Sequence, residues 1–247
     1  MTALPYQTQP LSEPRLGLVV LSADETIERD FARMLPEGLS LKVTRVPSGL
    51  DVTTDTLAAM EHHLTSAASL LPQADPFDVV AYGCTSGTAV IGARKVAAMI
   101  RKGVAARSVT DPVTALVAAC ETLAVKRLGI LSPYLPEVSD RLRAVLCEHG
   151  IETPAFGSFN ESDEATVVRI TPGSITSAAG SLARQGGIDG LFLSCTNLRT
   201  LEVIEEIEST TGLQVLSSNL VLGWHMCQLA KVTGPVWPRA TLTPTGA

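Results

Sequence analysis

An α/β fold of two similar lobes, with a ligand site in the cleft between them, is predicted by three observations. Short β-branched runs alternate with longer amphipathic stretches, the pattern of βαβ units and parallel sheets. The opening Arg15-Leu16-Gly17-Leu18 returns as Arg127-Leu128-Gly129-Ile130. Each opening leads to a Cys-Thr pair, Cys84 lying 67 residues after Gly17 and Cys195 lying 66 after Gly129. Both cysteines follow an Asp-led apolar run, Asp78–Gly83 and Asp189–Ser194.

In chain order, strands are predicted at Leu16–Leu21, Leu41–Val46, Asp78–Tyr82, Arg107–Val109, Arg127–Leu131, Gly190–Leu193 and Gln214–Leu216. Helices fill the intervals. Ile27, Phe31 and Met34 share one face after Asp24, a suitable N-cap. Leu57, Met60, Leu64 and Leu71 form a second stripe. Ala89–Ile100 is a helix following the first Cys-Thr, and the second Cys-Thr is also expected to open one. Asp111-Pro112 and Thr171-Pro172 place a capping side chain before a proline at the first helical position. The lobes are expected to span 15–110 plus 216–232, and 111–215, with extended arms at 1–14 and 233–247.

Composition narrows the function. The chain has 247 residues, 45% hydrophobic and 18% charged, which suits a globular protein with a sizeable core. A net charge of -6 without a basic run argues against a nucleic-acid partner. Apolar runs such as Leu16–Leu21 are too short to span a bilayer, and residues 1–14 lack the pattern of a signal peptide. Five scattered cysteines without CxxC spacing suggest reduced thiols in a cytoplasmic protein. His62 and His63 are adjacent and cannot form an i,i+4 metal pair, so no metal is expected. No dinucleotide or Walker motif is present, so no cofactor is expected either.

Ligands of open α/β sheets bind beyond the carboxyl ends of strands, which would set Cys84 and Cys195 opposite one another. In Tyr82-Gly83-Cys84-Thr85-Ser86-Gly87 the helix dipole favours thiolate, and the N–H groups of Thr85, Ser86 and Gly87 can hold a carboxylate or enolate-like oxygen. An ordinary thiol pKa is about 8.5, so modest depression would make either sulfur a base near neutrality. Two such groups on opposite faces of one carbon could exchange a proton with inversion; conjugate addition is the other natural chemistry. Cys120, Cys147 and Cys227 lie in apolar helical contexts and read as core.

Gly83-Cys84-Thr85-Ser86-Gly87, Ser132-Pro133-Tyr134, Ser194-Cys195-Thr196 and Ser217-Ser218-Asn219 with Trp224 resemble the Asp/Glu racemase superfamily. The resemblance is to its branch of maleate cis–trans isomerases and arylmalonate decarboxylases, over nearly the whole chain. It implies two pseudo-symmetric lobes, each with a four-stranded, mainly parallel sheet, a small carboxylate substrate, and a homodimer. It further implies that Cys84 is a nucleophile or base, Cys195 a proton donor and acceptor, and Tyr134 a carboxylate ligand. Backbone N–H groups at Thr85, Ser86 and Thr196, with Asn219, would complete the substrate site. The decarboxylases have glycine at the position of Cys84, which disfavours decarboxylation.

Two positions depart from the branch. Maleate isomerases have an asparagine where this chain has Asp24 and another near Glu164. An ionised carboxylate only accepts hydrogen bonds, so part of the substrate is expected to be a donor such as an ammonium; the competing reading makes Asp24 a helix cap and Glu164 a solvated surface group. Glu28-Arg29-Asp30-Phe31-Ala32-Arg33 and Tyr134-Leu135-Pro136-Glu137 look like ectoine-utilisation (EutA) proteins. The expected activity is therefore a cofactor-independent isomerase or racemase of an amino-acid derivative in ectoine catabolism. The alternatives are a maleate cis–trans isomerase, an arylmalonate-type decarboxylase, and a non-catalytic small-ligand binding protein.

Overall fold

The computed structural model describes residues 3–9, 12–36 and 38–232. Its strands are β1 (Leu16–Leu21), β2 (Leu41–Val46), β3 (Phe77–Gly83), β4 (Ala106–Thr110), β5 (Arg127–Ser132), β6 (Glu152–Ser158), β7 (Gly190–Leu193) and β8 (Gln214–Ser217). They form two four-stranded parallel sheets, β2-β1-β3-β4 and β6-β5-β7-β8. The seven strands expected from sequence are all present, with ends shifted by no more than one residue.

The eighth, β6, was not anticipated. Pro154 interrupts its sequence pattern, and proline removes a ladder donor. The strand survives because it lies at a sheet edge, where proline is tolerated, and its register with β5 shifts between Arg127 and Gly129.

The sequence repeat has a structural cause. The Asp78 carboxylate accepts the Arg15 N–H at 2.9 Å, and the Asp189 carboxylate accepts the N–H groups of Lys126 at 3.0 Å and Arg127 at 2.9 Å. In each sheet, an aspartate leading into the inner cysteine-bearing strand pins the start of the strand beside it. The side chains of β3 and β7 are almost wholly buried, with Phe77, Val79, Tyr82, Leu191 and Phe192 at zero exposure. Burial of each large apolar side chain contributes roughly 1.5–3 kcal/mol.

The helices are α1 (Ile27–Met34), α2 (Thr54–Ala59), α3 (Glu61–Ser69), α4 (Thr85–Ile91), α5 (Ala93–Gly103), α6 (Pro112–Leu123), α7 (Pro136–Glu148), α8 (Glu164–Val167), α9 (Pro172–Ala183), α10 (Ile204–Thr211) and α11 (Ser218–Leu229). Two helices expected to be continuous are broken. The stripe from Leu57 to Leu71 is broken at Met60, between α2 and α3, and Leu71 lies past the end of α3, although all four apolar residues are buried. The helix over Ala89–Ile100 is divided at Gly92, whose φ of 94° L-residues rarely adopt.

Two of the four inner strands, β3 and β7, deliver the cysteines beyond their carboxyl ends. α11 then crosses back from β8 to pack on β3, β4, α1 and α6. Residues 3–9 and 12–14 carry no helix or strand, and the expected arm at 233–247 lies outside the described residues. No described helix is long and apolar enough to cross a membrane.

Candidate active site

Cys84 is the N-cap of α4, and its Sγ accepts the Gly87 N–H at 3.1 Å. Gly87 is required here, because a Cβ would lie 2.9 Å from that sulfur and 2.6 Å from the Tyr82 hydroxyl. The N–H groups of Thr85 and Ser86, the first two of the helix, have no intrahelical acceptor. Gly87 is removed from the expected set of three donors, since its N–H is occupied by the sulfur.

Cys195 differs from expectation in its backbone. No helix follows it: residues 194–203 form an irregular loop, with turns only at 201–203, until α10 begins at Ile204. Cys195 itself holds a φ of 109°, which costs a non-glycine residue roughly 1–3 kcal/mol. Three contacts hold it there. Its N–H donates to Ser218 Oγ at 3.0 Å, its Sγ accepts the Asn197 N–H at 3.3 Å, and the Tyr134 hydroxyl lies 2.9 Å from the sulfur.

The two cysteine loops are bonded to each other. Ser218 Oγ, besides holding Cys195, lies 2.7 Å from Thr85 Oγ1, and Thr196 Oγ1 donates to the Gly83 carbonyl at 3.3 Å. Both thiols line one narrow cavity with Leu21, Asp24, Leu57, Thr85, Ser86, Tyr134, Glu164, Thr196 and Asn197. It has room for about one water molecule. No lysine, arginine or histidine lines it.

Asp24 and Glu164 both reach this cavity but do different work. The N-cap of α1 is Thr26 rather than the expected Asp24, but Asp24 Oδ1, from two residues upstream, accepts the N–H groups of Thr26 and Ile27, each at 2.8 Å, and so does the work of a cap. Asp24 Oδ2 is buried and makes no hydrogen bond of ordinary geometry; the Thr196 hydroxyl, which donates to the Gly83 carbonyl, is near enough to help hold the Asp24 carboxyl down. The capping and ligand readings of Asp24 are therefore compatible, one oxygen for each. Glu164 is buried rather than solvated: Oε1 accepts the Tyr134 hydroxyl at 2.6 Å and Oε2 accepts Asn197 Nδ2 at 2.7 Å. Burial pushes both carboxyls above their ordinary range, against the hydrogen bonds that hold them down.

The thiols also contradict the expected depression. Burial pushes Cys84 up to about 12, the Gly87 N–H offsetting only part of this. Cys195 is raised well above the ordinary range by burial, with the Glu164 carboxylate adding to the effect. Desolvation outweighs a seven-residue helix dipole, so burial favours the neutral thiols.

Eight of the nine predicted site residues line this cavity: Cys84, Cys195, Asp24, Thr85, Ser86, Tyr134, Glu164 and Thr196. The ninth, Asn219, does not. Its Nδ2 donates to Asp30 Oδ2 at 2.7 Å and to the Thr196 carbonyl at 2.8 Å, so it positions the Cys195 loop from beneath rather than facing a ligand. Tyr134 reaches the cavity, but its one hydroxyl proton is donated to Glu164 and not held for a carboxylate. Cys147 is exposed, because the buried stripe of α7 runs through Val138, Leu142 and Leu146. Among the described residues, no group of three or more His, Cys, Asp or Glu could hold a metal ion.

Two residues beyond the expected set hold the site together, Asn197, which directly follows Ser194-Cys195-Thr196, and Ser218, the middle residue of Ser217-Ser218-Asn219. Asn197 Oδ1 accepts the Glu25 N–H at 2.9 Å and its carbonyl accepts Thr26 Oγ1 at 2.8 Å, tying the Cys195 loop to the start of α1. The signal available was an amide in a motif otherwise made of hydroxyls and thiols.

Asp30 gives a test of this supporting layer. Burial raises its carboxyl to about 6. A group with a raised native pKa binds its proton more tightly when folded, so its contribution is complete at low pH and lost as pH climbs from about 4 through about 6. Asp30→Asn keeps an acceptor for Asn219 and removes the titration. The urea midpoint of the native protein should fall relative to that of Asp30→Asn between pH 4 and 7; parallel profiles would refute the assignment.

Comparison with known proteins agrees with this architecture. A family model described as arylmalonate decarboxylase matches residues 16–241. A maleate isomerase of Pseudomonas putida is 24% identical, the match covering 94% of this chain and 98% of that protein. An arylmalonate decarboxylase of Bordetella bronchiseptica is 25% identical over 90% of this chain and 92% of its own. Among solved structures, a maleate cis–trans isomerase of Nocardia farcinica superposes with a TM-score of 0.78 at 23% identity, covering 90% of this chain and 94% of that one. That structure is of a cysteine-to-serine mutant with a covalently bound succinylcysteine intermediate.

Proposed function

The chain belongs to the arylmalonate decarboxylase family, and on that premise we propose that it is a cofactor-independent, two-cysteine isomerase or racemase of a small carboxylate bearing an ammonium group. The observation that carries this reading is the cavity itself. It has two thiols, a buried carboxylate oxygen of Asp24 that makes no hydrogen bond of ordinary geometry, and no cationic side chain. A dicarboxylate entering beside Asp24 and Glu164 would meet like charge, whereas an ammonium would satisfy Asp24 Oδ2.

Under this reading the substrate carboxylate lies against the N–H groups of Thr85 and Ser86, with its α-carbon between the sulfurs. One sulfur, as thiolate, takes the α-proton; the enolate-like oxygen is stabilised by those N–H groups; the other thiol returns a proton to the opposite face. The thiols are raised by burial among carboxylates, so an arriving ammonium would also ease formation of the thiolate. Because every lining residue is buried, admission requires the surrounding loops to part.

We place the substrate among amino-acid derivatives, and the resemblance to ectoine-utilisation proteins suggests diamino acids from ectoine breakdown. Cytoplasmic location and a homodimer are parts of the same proposal. So is the division into lobes. α6 packs mainly on α11 and α4, which favours a boundary after α6 over one at 111.

The second reading, maleate cis–trans isomerisation, is favoured by the named activity of the Pseudomonas relative and by the presence of Cys84. A screen separates the two: single enantiomers of 2-amino and 2,4-diamino acids, with N-acetyl forms, alongside maleate. Loss of optical rotation with an amino acid is the expected result. Turnover of maleate alone would overturn the ammonium site and leave the second reading standing.

A further inference from the structure

Glu164 lines the cavity, yet both of its oxygens already have protein partners, so a direct role as substrate ligand leaves its geometry unexplained. Its partners are arranged in a line. Cys195 Sγ lies 2.9 Å from the Tyr134 hydroxyl, which lies 2.6 Å from Glu164 Oε1. A tyrosine has one hydroxyl proton. With Glu164 ionised, that proton goes to Oε1, and the tyrosine oxygen is free to accept the Cys195 S–H.

The far end of the line is fixed as well. Asn197 Oδ1 accepts the Glu25 N–H, so the amide cannot turn over, and its Nδ2 faces Glu164 Oε2. Oε2 meets only donors there, the Asn197 amide, so an added proton on the carboxyl resides on Oε1, toward Tyr134. The three groups thus accommodate two proton arrangements with the same heavy-atom contacts. In one, Cys195 is a thiol and Glu164 a carboxylate; in the other, Cys195 is a thiolate and Glu164 a carboxylic acid.

We infer that Glu164 is a positioning residue that serves as the proton store of Cys195, exchanging with it through the Tyr134 hydroxyl. The step conserves atoms and charge. The S–H bond of Cys195 breaks as an O–H bond forms on Tyr134, whose original O–H breaks as one forms on Glu164 Oε1; the single negative charge moves from carboxylate to sulfur. The raised carboxyl of Glu164, a consequence of burial, narrows the gap between the two arrangements. Asp24 is the other carboxylate whose charge raises this sulfur, and with Asp163 it also raises Glu164. The inference rests on the proposed role of Cys195 as proton donor and acceptor, and supplies the route by which a buried thiol becomes a base.

The test needs no substrate, so its failure is distinct from failure of the proposed activity. In a Cys84→Ser background, the rate of carbamidomethylation of Cys195 by iodoacetamide is followed by peptide mass spectrometry from pH 6 to 9. Removing the Glu164 charge makes thiolate easier to form, so the absolute rate does not test the relay; the shape of the pH profile does. If the proton lost by the sulfur stays on Glu164, the thiolate population of the parent is nearly level across the neutral range, whereas in Glu164→Gln the proton must leave to solvent and the rate should climb about 10-fold per pH unit. A parent rate that climbs about 10-fold per unit, parallel to Glu164→Gln, overturns the relay. Tyr134→Phe keeps the carboxylate and breaks the line, so its rate should climb too; if Glu164→Gln does not fold, a Tyr134→Phe profile as level as that of its parent overturns the relay by itself.

Discussion

Cys84→Ser is expected to lower turnover at least about 10³-fold while leaving stability within about 0.5 kcal/mol of the native protein. The two halves of this result have separate causes. Sulfur acts as nucleophile or base through a thiolate, and a serine hydroxyl in the same place is far too weak an acid to replace it. The structural job of Cys84 is to cap α4 by accepting the Gly87 N–H, and serine is among the best residues at an N-cap. Steady-state kinetics with the substrate found by the screen, paired with urea unfolding, checks both. Residual turnover above about a tenth of native would remove Cys84 from the chemistry.

Cys195→Gly is expected to abolish activity and yet be more stable than Cys195→Ala by about 1–2 kcal/mol. Both variants lose the sulfur, with its contacts to Tyr134 and the Asn197 N–H. Only glycine adopts a φ of 109° without the Cβ penalty. For a chain of this size each kcal/mol moves Tm by roughly 2–4 °C, so the difference is readable by thermal unfolding. A strained backbone at this point is consistent with a sulfur aimed by its surroundings rather than by its own local preference. Equal melting of the two variants would show that the conformation carries no such cost.

What the sequence disclosed and what it hid divide along physical lines. Strand runs such as Leu16–Leu21 and Gly190–Leu193 were legible because strands buried on both faces read as unbroken apolar segments. β6 was hidden because Pro154 and exposed edge positions erase that signal. The paired cysteines were legible because the lobes repeat, but the repeat misled at the second: Cys84 opens a helix, whereas Cys195 stands in a loop held by Ser218 and Asn197. Thiol acidity was misjudged, since a helix dipole can be inferred from sequence and the depth of burial cannot. The same limit explains Asn219 and Tyr134. Their residue types suit a carboxylate, and only the fold reveals that Asp30 and Glu164 already occupy them.

Isotope labelling in deuterium oxide interrogates the pair of sulfurs most directly. A single enantiomer of the substrate identified by the screen is followed to low conversion by mass spectrometry. Delivery from a second, solvent-exchanged thiol on the far side of the carbon predicts deuterium in the inverted product and almost none in the recovered starting enantiomer. Equal label in both, the mark of one group working on both faces, would contradict the account.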